Sequence, residues 1–100
     1  MLKNRYAFKV FQVEANLLFM TLANTFVTYG RTKDTELQLP LAVLEPFHKR
    51  LAGALIFPSN KMRVSLRKTE ALAFHNLYMS GIIASNFTTE QINTEIHKTL

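Results

Sequence analysis

Residues 5–15 read RYAFKVFQVEA and residues 61–71 read KMRVSLRKTEA, and these two stretches decide the fold. Each alternates apolar and polar side chains over about seven residues and then changes to a helical spacing of three and four residues. Aligning Glu14 with Glu70 brings the stretches into register, and an alanine follows each glutamate. The sequence therefore predicts two equivalent units, each a short strand that continues directly into a helix.

Each predicted strand has an apolar face and a basic face. The apolar faces are formed by Tyr6, Phe8, Val10, Met62, Val64 and Leu66. The outward basic residues are Arg5, Lys9, Lys61, Arg63 and Arg67, with Lys68 close by. Because duplicated units commonly relate by an approximate two-fold axis, we expect the strands to pair antiparallel, with helices covering the apolar face. Alternatively, two chains join edge to edge into a four-stranded sheet.

The first helix, predicted to run from Val13 or Glu14 to Gly30, has more apolar surface than one buried stripe requires. The predicted stripe is Ala15, Leu18, Leu22, Phe26 and Tyr29. The surplus apolar residues are Leu17, Phe19, Met20 and Val27. They leave a narrow polar seam of Glu14, Thr21, Thr25 and Thr28. Such a helix is either central in its own fold or covered by a second subunit.

The segment between the two units is predicted to begin with a charged loop over residues 31–36. Leu37 and Leu39 alternate with a glutamine and predict a brief edge strand, whereas Pro40 favours the first turn of a helix instead. Apolar residues at steps of four predict a helix from Pro46 to Ile56.

Two more helices are predicted in the C-terminal third. The helix of the second unit is expected to bury Ala71, Phe74, Tyr78 and Ile82. For the last helix, Thr88 and Gln91 predict a capping box, and Phe87 is expected to pack on Ile92 across it. The buried edge of that helix is predicted to be Ile92, Ile96 and Leu100. The fold class is thus α+β: predominantly helical, with two pseudo-equivalent strand–helix units, a small antiparallel sheet and additional helices.

Length and composition favour one domain over residues 1–100. The net charge is +5, and residues 1–70 hold eleven of the twelve Lys and Arg, so the basic character belongs to the strand-bearing part. The absence of cysteine excludes disulfides, thiolate metal sites and cysteine catalysis, and it fits a cytoplasmic location. The least charged stretch, residues 71–89, is too polar to predict a membrane span.

No arrangement of residues indicates catalysis, a metal or a cofactor. The histidines, His48, His75 and His97, are far apart in sequence and form no i, i+4 pair. Asp34 is the only aspartate, and three glycines are too few for a phosphate-binding loop. The basic run from His48 to Arg50 is interpreted as a solvated helix face. We therefore expect no enzymatic activity.

Two functional hypotheses remain. The first is a small interaction or assembly protein whose partner is a second copy, in a homodimer, or another protein, with Leu17, Phe19, Met20 and Val27 at the interface. The alternative is a nucleic-acid-binding accessory or regulatory protein that uses the basic sheet face. Against that alternative, only Phe11 is placed to stack on a base, and a basic face also serves simply to solvate a sheet and guard its edges.

Overall fold

The computed structural model describes residues 2–100, which form two strands and four helices. In chain order they are β1 (Arg5–Phe11), α1 (Gln12–Tyr29), α2 (Thr35–Ile56), β2 (Lys61–Arg67), α3 (Lys68–Met79) and α4 (Phe87–His97). Strand β1 runs directly into α1 and strand β2 directly into α3, as the repeat predicts. The predicted α+β class, with two strand–helix units and a small antiparallel sheet, is confirmed.

The two strands form a two-stranded antiparallel ribbon with approximate two-fold symmetry. Phe8 pairs with Val64 at its centre, and these residues are also equivalent in the repeat, which has an offset of 56 residues. At one end Gln12 N donates to Asn60 O at 3.0 Å. At the other end the equivalent atoms, Lys68 N and Asn4 O, form a hydrogen bond of the same length. The expected two-fold relation therefore holds inside one chain.

One face of the ribbon is covered and the other is open. The six predicted apolar residues are all buried, and the alternating positions between them are exposed, except that one, Ser65, is partly buried. A lone two-stranded sheet is marginal in water, so the helices packed on its apolar face are necessary for its stability. The core beneath it receives side chains from both strands and from all four helices.

The Glu-Ala pairs explain how each strand becomes a helix without a loop. Glu14 Oε1 accepts a hydrogen bond from the N–H of Phe11 at 2.9 Å, and Glu70 Oε1 accepts one from the N–H of Arg67 at 2.8 Å. Each glutamate thus caps a backbone donor at the start of its own helix. The following alanines, Ala15 and Ala71, have no exposed surface and allow close packing beneath the ribbon.

The predicted structure between the units is wrong in part. Residues 35–56 form one helix, α2, so there is no edge strand at Leu37–Leu39 and the helix does not begin at Pro46. Asp34 is the N-cap, since its carboxylate accepts from the N–H of Glu36 at 2.9 Å. Both Pro40 and Pro46 lie inside the helix, where a proline usually costs about 3 kcal/mol. A buried stripe that begins directly after Pro40 and continues past Pro46 offsets that cost: Leu41, Leu44, Phe47 and Leu51.

The predicted polar seam of α1 also needs correction. Thr21 and Thr25 are buried, not solvated. Their hydroxyls donate to the carbonyls of Leu17 and Thr21 at 2.7 and 2.9 Å. Because a threonine can satisfy its hydroxyl on its own helix, its methyl group can enter the core.

The ends of the last two helices differ from the prediction. Helix α3 ends at Met79, and Gly81 follows with a positive φ of 76°. Tyr78 and Ile82 are only partly buried. The capping box of α4 joins Asn86 and Thr89, through bonds of 2.9 and 3.0 Å, and not Thr88 and Gln91.

Asparagine is as good an N-cap as threonine, so α4 begins two residues earlier than predicted. This earlier start changes the surroundings of the neighbouring residues. Phe87 becomes the first residue of α4 and is 75% exposed, so it does not cover Ile92 as predicted. Ile92 and Ile96 are buried as expected, whereas Leu100 lies beyond the helix and is exposed.

Candidate nucleic-acid interface

The open face of the ribbon gathers the predicted basic residues. Its eight outward positions are Arg5, Ala7, Lys9, Phe11, Lys61, Arg63, Ser65 and Arg67. Five of the eight are cationic and none is acidic. Lys68, the sixth predicted residue, is exposed at the first position of α3, beside the end of this face. We call the eight outward positions the ribbon face.

Like charges lie directly opposite one another on the ribbon face. Arg5 pairs with Arg67, and Lys9 pairs with Arg63. Directly opposed side chains have Cβ atoms about 5 Å apart, and like charges in that arrangement destabilise a sheet. Among residues 2–100, no carboxylate oxygen lies within 4.0 Å of a charged nitrogen of the five cations. The ribbon face thus carries five cations that form no ion pair with any described residue. The nearby carboxylates are Glu70, whose pKa the charge of Arg67 helps to lower, and Glu95 of α4, which lines a cleft together with Arg5 and Lys9.

The aromatic ring on the ribbon face lies at one end of the ribbon. Phe11 is exposed and pairs across the strands with Lys61, whose Nζ lies 5.9 Å from the ring centroid. This cation–π contact orients the lysine without neutralising it. A surface that binds single strands stacks successive bases on several rings, and the ribbon face offers one.

The acidic residue next to β2 is sequestered. Glu70 is 2% exposed and accepts hydrogen bonds from both terminal nitrogens of the Arg50 guanidinium group, with Nη1–Oε2 and Nη2–Oε1 distances of 2.9 and 2.6 Å. Burial acts to raise the pKa of Glu70, but hydrogen bonds from Arg50 and from the Arg67 backbone outweigh it and lower that pKa. Arg50 Nη2 also reaches the carbonyl of Ser65 at 3.3 Å, so this pair joins α2 to the ribbon.

Arg50 is the residue that sequence reasoning missed. The run from His48 to Arg50 is predicted to form a solvated face. This is correct for Lys49, which makes an exposed ion pair with Glu45, but wrong for His48, whose partly buried ring packs on Phe19. Arg50 instead pairs with Glu70, twenty residues away. No local pattern contains that contact, because it depends on how α2 packs beside α3.

The histidines are placed in two separate environments. The ring of His48 stacks on Phe19 at 4.5 Å, and burial lowers its pKa despite the opposing charge of Glu45. His75 and His97 have ring centroids 5.6 Å apart, and His75 Nδ1 lies 2.9 Å from Asn93 Oδ1. In the part of the chain that is described, residues 2–100, no group of three or more potential ligands could hold a metal ion.

A second surface of interest lies on α1. Leu17, Met20 and Val27 are 41%, 62% and 84% exposed, and they share a stripe with the exposed Val13 and Asn24. These five residues follow one another at steps of four, three, four and three, and we call them the α1 stripe. The fourth predicted interface residue, Phe19, lies off this stripe and packs against His48.

The comparisons with known proteins give no relative. No protein-family model matches the chain, and no curated protein or solved structure is significantly similar to it. Over residues 2–100, none of the helices has both the length and the apolar character required to span a bilayer. Function is therefore inferred from the geometry of this chain alone.

Proposed function

We propose that the chain binds duplex DNA by inserting the β1–β2 ribbon into the major groove. The observation that carries this proposal is the ribbon face, where five of the eight outward positions are cationic and none is acidic. Two opposed pairs of like charge weaken the free protein, and a polyanion placed over them removes that repulsion. A face that served only to solvate the sheet has no need of opposed like charges.

The dimensions of the ribbon suit the major groove of B-form DNA. That groove is about 12 Å wide and admits a two-stranded β-ribbon. Each strand has seven residues, and at about 3.4 Å per residue it extends for roughly 20 Å. At about 3.4 Å per base pair the ribbon would run along some six base pairs. The helices cover the opposite face of the ribbon, and the outward positions of both strands are exposed, apart from the partly buried Ser65.

Duplex DNA is favoured over the other nucleic acids for two reasons. The major groove of an RNA helix is deep and narrow, and side chains cannot read it. Single strands are held by stacking on successive aromatic rings, and Phe11 alone does not provide such a platform. The donors of the ribbon face, by contrast, match phosphate oxygens and the acceptors at the edges of bases.

Charge reversal tests this proposal. Binding of a mixed-sequence 20-base-pair duplex is measured by fluorescence anisotropy at several salt concentrations. The double variant Arg63→Glu/Arg67→Glu is expected to bind at least tenfold more weakly, with a slope of log K against log salt that is roughly two units shallower. The matched control is Lys49→Glu/Lys98→Glu, which makes the same change in net charge at two exposed positions away from the ribbon, one in α2 and one directly after α4. An equal loss in both variants, or no binding by the wild type at low salt, contradicts the proposal.

A second candidate function, assembly through a homodimer, is supported by the α1 stripe. Its spacing is that of the a and d positions of a coiled coil, with Leu17 and Asn24 at a positions and Met20 and Val27 at d positions. A single asparagine at an a position specifies register and a defined oligomer, at some cost in stability. The stripe therefore suits a second copy of α1 better than an unrelated apolar groove.

Sedimentation equilibrium tests the homodimer. The wild type is expected to associate, and the variant Met20→Lys is expected to remain monomeric, because it places a charge in the middle of the stripe. Leu39→Lys is the matched control, since Leu39 is an equally exposed apolar residue on α2, off the stripe. A wild type that stays monomeric at high concentration contradicts this candidate and leaves the proposal on DNA unaffected.

A further inference from the structure

We infer, on the basis of the proposed binding to DNA, that the preferred duplex site is not palindromic. The backbone of the ribbon is two-fold symmetric about the pair Phe8–Val64. The side chains that flank this centre on the ribbon face are not symmetric. On one side of the centre lie Lys9 and Arg63, directly opposite one another, and on the other side lie Ala7 and Ser65.

The repeat shows how complete this asymmetry is. The two-fold operation exchanges Ala7 with Arg63 and Lys9 with Ser65. Each exchange replaces a long cation by a small neutral residue. A reader built from two identical chains must present the same residues to both halves of its site, so it selects a palindrome. This chain contains both halves in one polypeptide, which frees each half to read a different sequence.

The side chains on either side of the Phe8–Val64 centre indicate which bases each half of the ribbon face would contact. Arg63 and Lys9 carry only donors, and guanine presents two acceptors, O6 and N7, in the major groove. An arginine or a lysine on guanine is the commonest specific contact of this kind. Ala7 offers a methyl group, which suits the C5-methyl group of thymine, and the hydroxyl of Ser65 accepts or donates. The inner part of the site, next to its centre, is thus expected to have G·C pairs on the Lys9–Arg63 side and A·T pairs on the Ala7–Ser65 side.

The outer positions of the ribbon face add to this polarity. Arg5 and Lys61 are equivalent in the repeat and both are cationic, so they suit phosphates on either side of the groove. Phe11 and Arg67 are also equivalent, but one is a ring and the other a cation. The protein should therefore bind its site in one orientation.

Selection from a random 20-base-pair duplex library tests the inference. The wild type is expected to enrich a site in which the base pairs next to the centre are G·C on one side only. The Arg63→Ala variant is expected to lose about 5- to 150-fold of its discrimination at the guanine position. The double variant Ala7→Arg/Ser65→Lys makes the inner positions of the two halves identical, and it is expected to enrich a site whose inner base pairs form a palindrome with G·C on both sides. Both replaced residues lie on the ribbon face, outside the core, and thermal melting confirms that the variant is folded.

The outcomes separate this inference from the proposed function. A wild type that enriches a palindrome, or that binds duplexes tightly without sequence preference, overturns the inference while DNA binding stands. A double variant that folds, binds and keeps the one-sided site of the wild type also overturns it. If no duplex is bound or enriched at low salt, both the inference and the proposed function fail.

Discussion

Phe8 and Val64 face each other across the centre of the ribbon, and each occupies the position in its own unit that the other occupies in the second unit. This pairing places the two-fold axis of the repeat through the middle of the sheet. One chain thereby builds a symmetric ribbon that would otherwise need two copies of a strand–helix unit. Both residues are buried beneath the ribbon. Because side chains alternate along a strand, their neighbours point outward and form the open face.

Phe8 should therefore matter more to stability than any residue of the ribbon face. Its ring is packed beneath the ribbon, so Phe8→Ala leaves a cavity and is expected to lower the free energy of unfolding by about 3–5 kcal/mol. Ser65→Ala is the control within the same sheet, with an expected change within about 0.5 kcal/mol. Urea unfolding followed by circular dichroism measures both values. Equal effects would show that the buried face does not hold the ribbon.

Glu14 and Glu70 are equivalent in sequence but should not be equivalent in energy. Both cap the start of a helix, but Glu70 alone receives the two hydrogen bonds from Arg50. Glu70→Gln is expected to cost about 1–3 kcal/mol, because it removes a charged partner from Arg50 at a buried position. Solvent reaches the arginine side of this pair and moderates the loss.

The matched variant Glu14→Gln is expected to cost less than about 1 kcal/mol, since the amide oxygen can still accept from the backbone. Urea unfolding at neutral pH measures the free energy of unfolding of both variants, Glu14→Gln and Glu70→Gln. A loss from Glu14→Gln as large as that from Glu70→Gln would contradict the asymmetry of the two units.

Acid should destabilise the fold partly through Glu70. The pKa of this carboxyl is lowered in the folded chain, so its ionised form stabilises the fold above its ordinary pKa of 4.5. That contribution is expected to be lost as the pH falls through 4.5 and further through the lowered pKa. Urea unfolding as a function of pH should therefore show a shallower acid loss for Glu70→Gln than for the wild type. If wild type and Glu70→Gln lose stability equally as the pH falls, Glu70 is not a source of the acid sensitivity.

His48 should add a pH dependence at higher pH. Burial lowers its pKa below 6.5, so the unfolded chain takes up the proton more readily and stability falls as the pH decreases below that value. His48→Phe preserves an aromatic partner for Phe19 and removes the titration. The difference in urea midpoint between about pH 7.5 and pH 5.5 is expected to be smaller in this variant. If the difference in urea midpoint is the same in His48→Phe as in the wild type, the pH dependence of stability comes from groups other than His48.

The ribbon and its two faces could be predicted because they depend on local periodicity. Alternation in two matched stretches identifies which side chains are buried, and the antiparallel pairing expected from the repeat brings the five cations onto one face. The position of Lys9 directly opposite Arg63 depends on the strand register, which the repeat does not fix. The course of α2 could not be predicted in the same way. Its two prolines favour a break, whereas the packing of its buried stripe against the rest of the fold, a non-local contact, favours a continuous helix.

Contacts between distant helices were beyond local reasoning as well. The pairing of Arg50 with Glu70 depends on the packing of α2 beside α3, and no spacing in the sequence encodes it. The predicted N-cap of α4, Thr88, differs from the observed one by two residues, because Asn86 and Thr88 are both acceptable N-caps. The burial of Thr21 and Thr25 was missed because a threonine can serve either water or its own helix.

The most direct test of the account is an NMR titration of the isotope-labelled chain with a duplex that it binds. If the ribbon enters the major groove, the amide and side-chain signals of Arg5, Lys9, Lys61, Arg63 and Arg67 are expected to shift first and most. Signals from the α1 stripe should stay in place. Shifts that are confined to the helices, with an unchanged ribbon, would contradict the central claim.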